Sequence, residues 1–413
     1  MPAAARRFDC YAVAAPGLEA LVAAELAARV AGPIVPDPGG VAFAATRAEL
    51  YAANLWSRAA SRVLVRLAEF EARHFSELQA GCDLVRWEQF VGPRDPVRVR
   101  VTCRKSRLYH SDAVAERVGE AIRRRAGATV VEGGGGEDDE DAGAAQLVVV
   151  RLFHDRCTVS ADSSGELLHR RGYRQALGKA PLRETLAAAL LLAAGYDGSA
   201  PLVDPLCGSG TIAIEAALLA RRLAPGRHRS FAFERWLDFD AALWRSLRAR
   251  ADDEALPFAP HAIWGSDRDA GAVAASLANA ERAGVAEDVQ FARASLSAAG
   301  APEPAGASVP GYLVTNPPYG KRLGEHDLLR DLWARLGQWA RVRCPGWRAA
   351  VLAPGDGAVR RVGLPLAAAA ATRNGGLAVE VAVGAVPGGA PNGADALPDA
   401  APGREAAEAA PRA

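Results

Sequence analysis

Lysine is almost missing from this 413-residue chain, occurring only at Lys105, Lys179 and Lys321 among 49 Lys and Arg residues. With the abundance of alanine, that imbalance reflects a GC-rich genome and carries no functional message. An excess of one charge sign is missing too. The formal net charge is +1, so no overall field advertises a nucleic-acid or membrane partner. Cysteine is sparse (Cys10, Cys82, Cys103, Cys157, Cys207, Cys344), with no CxxC pair and no histidine nearby at zinc spacing. That pattern argues against a disulfide framework and a metal site, and makes a reducing cytoplasm the expected compartment. Long apolar runs are also absent. The longest, LAAALLLAAG at 186–195, is about half of what a membrane span needs, and MPAAARRFDC lacks the apolar segment of a signal peptide. What remains is a globular composition, 50% apolar and 23% charged, long enough for two or three domains.

Three low-complexity stretches punctuate the chain. GGGGEDDEDAG at 133–143 reads as a flexible acidic insertion. APEPAGASVPG at 301–311 is a shorter loop, and from about Gly384 an Ala/Pro/Gly tail is expected to be disordered. Before residue 165, strand and helix patterns mix. FDCYAVAA, GGVAFAAT, RVLVRLAEF and VRVRVTCR read as strands, and PGLEALVAAELAARV as a helix with Pro16 in its first turn. RAELYAANLWSRAA, a stretch near 75–88 and SDAVAERVGEAIRRRAG also read as helices, and QLVVVRLFHDRCTVSAD as a hairpin. This predicts α+β layers with antiparallel sheets, as two small modules. After Arg170 strands and helices alternate, which predicts an α/β doubly wound parallel sheet closed by a terminal β-hairpin.

Chemistry concentrates at the ends of those later strands. In DPLCGSG, Asp204 ends a buried strand, and Gly208 and Gly210 frame a turn into a helix starting near Thr211. Such a turn lets backbone approach a nucleotide-like ligand at a helix N-terminus. A dinucleotide would want an acid about 20 residues on. Here the next strand-end acid, Asp267 in WGSDRD, follows an Arg- and aromatic-rich insertion (HRSFAFERWLDFDAALW). No GK[ST] follows the loop, which disfavours an NTPase. Asp267 can accept from both hydroxyls of a ribose, while Asp269 suits the N-cap of the next helix. In YLVTNPPYGKRLG, Asn316 offers a side-chain acceptor, and Pro317 and Pro318 fix the backbone so that the Asn316 and Pro317 carbonyls point in set directions. Two acceptors aimed at one point suit an exocyclic amine, and Tyr319 offers a face for a flipped base. A proline-rich turn capped by Asn is the structural alternative. Lys321 and Arg322, just beyond, suit the flanking phosphates.

With those motifs on the page, the chain resembles the class I, S-adenosylmethionine-dependent RNA methyltransferases that carry a THUMP domain, and most of all the bacterial large-subunit rRNA guanine-N2 group. RVTCRKSRLYHSDAVAERV resembles the THUMP core, RRGYRQALGKAPLRETLAAALL the lead into the catalytic domain, and DPLCGSGTIAIEAA with TNPPYGKRLG its signature loops. The resemblance implies a ferredoxin-like module (1–55), a THUMP domain (56–165), a Rossmann-like methyltransferase domain (166–384) and a tail (385–413). It implies S-adenosylmethionine held by Asp204, Cys207, Gly208, Gly210, Thr211, Asp267, Arg268 and Ser295, with Asn316, Pro317, Pro318 and Tyr319 facing the base. Ser295 stands in RASL, where the family usually places an Asp near the adenine. Some members add a second methyltransferase module after this point; the sequence here shows none.

A local cationic stripe from Arg94 to Val131 can bind phosphate despite the neutral total. Arg104, Lys105, Ser106, Arg107 and Tyr109 in its KSRLYH segment are the RNA-binding candidates, together with Lys321 and Arg322. The tryptophans Trp333, Trp339 and Trp347 read as core. The expected reaction is methylation of the N2 amine of a guanosine in RNA, with rRNA favoured over tRNA, and neither membrane nor metal is expected to take part. N6-adenine methylation, a non-catalytic RNA-binding protein with a decayed methyltransferase fold, and a nicotinamide oxidoreductase are the rivals.

Overall fold

The computed structural model describes residues 7–131, 145–174, 182–301, 310–319, 326–355 and 357–388. The acidic glycine-rich stretch, the tail from residue 389 onward, and Lys321 and Arg322 lie outside them.

The first half runs β1 (Phe8–Val13), α1 (Glu19–Ala27), β2 (Ile34–Asp37), β3 (Gly40–Ala45), α2 (Arg47–Trp56) and β4 (Arg62–Glu71). It continues with α3 (Phe75–Asp83), β5 (Pro96–Arg104), α4 (Ser111–Ala126), β6 (Thr129–Val131), β7 (Gln146–Phe153) and β8 (Arg156–Asp162). Local chemistry sets several of these limits. Thr46 and Glu49 form a capping box at the start of α2, satisfying two orphan N–H groups. Arg123, Arg124 and Arg125 crowd the last turn of α4, and Gly127 closes it in the left-handed region, as the helix dipole and the C-cap both favour. Pro16 lies in a turn ahead of α1, which starts at Glu19, so it is not a first-turn residue.

All eight strands join one sheet, in the order β2-β3-β1-β4-β8-β7-β5-β6. The expectation of antiparallel sheets therefore needs correcting. β5 pairs in parallel with both β6 and β7. A strand that returns after a helix such as α4 runs the same way, whereas β7 and β8, joined at His154–Asp155, run antiparallel.

The second half contains α5 (Glu184–Ala194), β9 (Leu202–Asp204), α6 (Thr211–Ala220), α7 (Ala241–Asp253), β10 (Ile263–Asp267), α8 (Ala270–Ala283) and β11 (Val289–Arg293). It ends with β12 (Tyr312–Thr315), α9 (His326–Arg343), β13 (Arg348–Pro354), β14 (Leu366–Asn374) and β15 (Leu377–Ala385). Its sheet has the order β11-β10-β9-β12-β13-β15-β14. β9 to β13 are parallel, and the terminal hairpin adds antiparallel strands. The chain leaves β9 towards β10 and later returns to β12 on the other side. That reversal opens a crevice at the carboxyl ends of β9, β10 and β12. Trp333, Trp339 and Trp347 are buried in the core beside this sheet.

The aromatic insertion between α6 and β10 joins the two halves. Tyr51 of α2 stacks on Phe233 at 4.2 Å and its hydroxyl accepts from Asp240 N at 3.1 Å. Arg47 pairs with Asp238 at 2.7 Å. Trp236 Nε1 donates to Gln146 Oε1 at 3.0 Å while its ring meets Phe90 edge-on.

Candidate cofactor and base-binding site

The site is assembled by backbone geometry before any side chain acts. Gly208 and Gly210 have φ of +53° and +80°, a region costly for residues with a Cβ. At Gly210 a Cβ would lie 2.8 Å from the Phe291 ring and 3.0 Å from Ser276, so the loop is packed from below. At Gly208 a Cβ would meet nothing within 4 Å. The loop therefore presents bare backbone to open space, the feature a bound cofactor needs.

Side chains from two neighbouring elements hold that loop. Asp267, at the end of β10, accepts from Gly208 N at 3.0 Å through Oδ2 and from Asp269 N at 2.9 Å through Oδ1. Asp269 takes the helix cap, as its position suggested, accepting from Gly271 N at 2.8 Å. Ser276 Oγ donates to Gly208 O at 2.8 Å, and Asn279 Nδ2 donates to Ser209 O at 3.1 Å. Neither Ser276 nor Asn279 was singled out in the sequence. Their three-residue spacing puts both on one face of α8, but nothing local says which face meets the loop.

Asp204 is buried, and its Oδ1 accepts from Thr315 Oγ1 at 2.7 Å and from Leu206 N at 3.2 Å. Burial pushes its carboxyl up to about 7, against the lowering effect of those two bonds. The Thr315 bond ties the ends of β9 and β12, and so sets the level of the next residue. That residue is Asn316. Its Oδ1 is buried and has no hydrogen-bond partner, an arrangement that costs free energy until a donor arrives. Pro317 is buried and Pro318 exposed. Tyr319 is half-buried, and its hydroxyl accepts from Asn374 Nδ2 at 2.7 Å.

The remaining candidates fall into three groups. Cys207 is buried, and burial holds its thiol well above the usual range, so it is no thiolate nucleophile. Thr211 is buried at the start of α6. Arg268 and Ser295 are exposed beside Asp267: Ala294 N donates to Asp267 O at 2.9 Å, and Ser295 shares a hydroxyl contact with Ser297 at 3.1 Å.

The KSRLYH residues belong to the other sheet, after β5. Arg104, Lys105, Arg107 and Tyr109 are exposed there, and Ser106 is spent on the turn, donating to Arg104 O and accepting from Asp155 N. The structure thus brings together Asp204, Gly208, Gly210, Asp267 and Asn316 at one sheet edge, and groups the basic residues with Tyr109 on the eight-stranded sheet. Among the described residues no helix is long and apolar enough to cross a membrane.

Comparison with known proteins agrees with this fold. Residues 171–362 match the family model described as an RMKL-like methyltransferase domain. Residues 9–64 match the RlmL ferredoxin-like domain, and 72–162 the THUMP domain. A candidate RNA methyltransferase of Synechocystis is 37% identical over 378 residues, covering 89% of this chain and 94% of its own. A ribosomal RNA large subunit methyltransferase K/L of Syntrophotalea carbinolica is 40% identical over 362 residues, covering 86% of this chain and 50% of its own. The chain thus spans about half the length of that K/L relative.

Among solved structures, SMU.472, described as a methyltransferase in complex with SAH, superposes with a TM-score of 0.78 at 28% identity, covering 94% of this chain and 100% of its own. A Listeria monocytogenes protein described as a predicted N6-adenine-specific DNA methylase gives 0.76 at 32% identity, covering 91% and 96%. The methyltransferase family model and the SAH-bound neighbour make S-adenosylmethionine the cofactor, and bare backbone at Gly208 next to Asp267 fits it. The chain belongs to the THUMP-domain, S-adenosylmethionine-dependent RNA methyltransferases with an RMKL-like catalytic domain.

Proposed function

We propose that this protein methylates the exocyclic N2 amine of a guanosine in large-subunit (23S) rRNA. The observation that carries this reading is the buried, unpartnered Oδ1 of Asn316 at the end of β12, beside the glycine loop. An acceptor there recovers its desolvation cost when an amine N–H donates to it. With both N–H groups engaged by Asn316 Oδ1 and a backbone carbonyl fixed by the prolines, the nitrogen lone pair is left in one direction. The face of Tyr319 supports the flipped base. Asp204, Gly208, Gly210, Thr211, Asp267, Arg268 and Ser295 would line the cofactor side, with Cys207 packed beneath the loop. The bound cofactor supplies a methyl group on a positive sulfur, electrophilic enough that the protein chiefly contributes position. No residue has to act as a strong base, since the amine proton can leave to water once nitrogen carries the charge.

Support for RNA comes from the THUMP match and from the names of the relatives. Arg104, Lys105, Arg107 and Tyr109 would contact its backbone and an exposed base, with Ser106 shaping their turn. The domain limits 1–55, 56–165, 166–384 and 385–413 are proposed on the same footing. A second reading, N6-adenine methylation, rests on the fact that Asn316 serves that amine equally well, and on the naming of the Listeria neighbour. Nucleoside mass spectrometry of rRNA and tRNA from cells with and without this protein decides between them. Loss of N2-methylguanosine from the 23S fraction is expected. Unchanged N2-methylguanosine in every fraction would overturn the reading, and loss of N6-methyladenosine alone would replace it with the second.

A further inference from the structure

We propose that Asn374, at the tip of the β14–β15 hairpin, is a positioning residue for the base site, holding the Tyr319 ring through its hydroxyl. The proposal rests on the reading of Tyr319 given above and extends it to an element the motif does not contain. Asn374 Nδ2 donates to Tyr319 Oη at 2.7 Å across 55 residues of sequence. Asn374 pairs with Leu377 as the last pair of the hairpin, so two residues, Gly375 and Gly376, make the turn, with φ of +52° and +84°. An Asn before such a turn usually bonds locally; here its amide reaches out of the hairpin instead.

The support behind Asn374 is rigid on both sides. β15 runs along β13, and Gly355 N, just past the end of β13, donates to Ala378 O at 3.1 Å. On the other side the N-terminal module passes backbone against backbone, since a Cβ on Gly17 would lie 2.0 Å from Ala371 O. The Tyr319 phenol uses an acceptor lone pair for Asn374 and keeps its proton, since burial raises its pKa despite the Asn374 bond. Because Oη lies at the far end of the ring axis, the bond selects one χ1 setting and fixes the direction of that axis, and with it where the ring sits against a base.

The test compares Asn374→Ala, the isosteric Asn374→Asp, Tyr319→Phe and the double variant in the full-length protein. Labelled methyl transfer to rRNA from cells lacking the protein is measured, together with S-adenosylmethionine affinity by calorimetry. Asn374→Ala should lower kcat about 10–100-fold, the scale of a small misplacement of a reacting group, with cofactor affinity unchanged. Asn374→Asp, whose carboxylate can accept from the protonated Tyr319 hydroxyl, should instead retain most of the activity. Tyr319→Phe keeps the ring and loses the bond, so Asn374→Ala should add nothing in that background. Additive losses, or an unchanged kcat in Asn374→Ala, would overturn the proposal.

A readout that needs no RNA separates this from failure of the functional reading. In protein labelled with 3-fluorotyrosine, the ¹⁹F signal absent from Tyr319→Phe reports Tyr319. In Asn374→Ala that signal should shift and change width. A Tyr319 signal identical to the wild type would show that Asn374 does not hold the ring, whatever the enzyme methylates.

Discussion

Asn316→Ala removes an unpartnered acceptor and leaves the glycine loop's own bonds to Asp267, Ser276 and Asn279 in place. Methyl transfer should therefore fall by about 100-fold or more, the usual effect of deleting one oriented polar group at a reacting centre, while calorimetric cofactor affinity stays nearly intact. Equal loss of both would mean that Asn316 serves the fold. Asp204 gives a pH-dependent prediction. Its carboxyl rises from 3.8 to about 7 because burial disfavours the charged form. The stability that comes from its neutral form is then complete below pH 3.8 and is lost as pH rises through about 7. Asp204→Asn keeps an acceptor for Thr315 and carries no charge, so cofactor-free variant protein should lose less stability than wild type between about pH 5 and 8. The difference in slope is bounded by one proton, about 1.4 kcal/mol per pH unit. Glu184, also pushed up to about 7 by burial, is common to both proteins and cancels. Parallel stability-against-pH curves would refute the assignment.

At the level of elements, periodicity and punctuation made most of the second half legible. Short, mostly buried runs ending in Asp204, Asp267 and Thr315 read as parallel strands once helices alternated with them. Contacts that cross between elements were not legible. α9 shows why. Gly337 sits in the middle of this helix, where Ala would normally gain about 1 kcal/mol. A Cβ there would lie 1.7 Å from Val362 O, in the 3-10 helix Ala358–Val362. Gly337→Ala should therefore destabilise the protein, since overpacking costs about 1–3 kcal/mol. Its urea midpoint should drop; a raised midpoint would show that the two helices are not in backbone contact. The pairing of β5 with β7 was hidden for a similar reason: alternation marks a half-buried strand but does not give its direction.

For the whole molecule, the aromatic insertion is the joint between the RNA-binding half and the catalytic half. Trp236 spans it, with its ring against Phe90 and its indole N–H on Gln146. Trp236→Ala should cost about 3–5 kcal/mol of packing at that joint and leave the distant glycine loop alone. The expected result is faster proteolysis between the halves and weaker transfer to RNA, with cofactor affinity retained. Unchanged proteolysis would mean that the stacked Tyr51–Phe233 pair carries the joint by itself. In the sequence this segment only displaced Asp267 from dinucleotide spacing; its role became visible when both of its neighbours were in place.

The sequence by itself determined the fold class, the glycine loop and the identity of the residues at the strand ends. Those follow from short-range rules: glycine where φ is positive, Asp at a cap, proline where the backbone must be fixed. Only the tertiary structure decided that Thr315 ties down Asp204, that Ser276 and Asn279 hold the loop, and that Asn374 reaches Tyr319. Each of these is a bond between elements at least 55 residues apart. Such a bond depends on how sheet and helices pack, which no local pattern encodes.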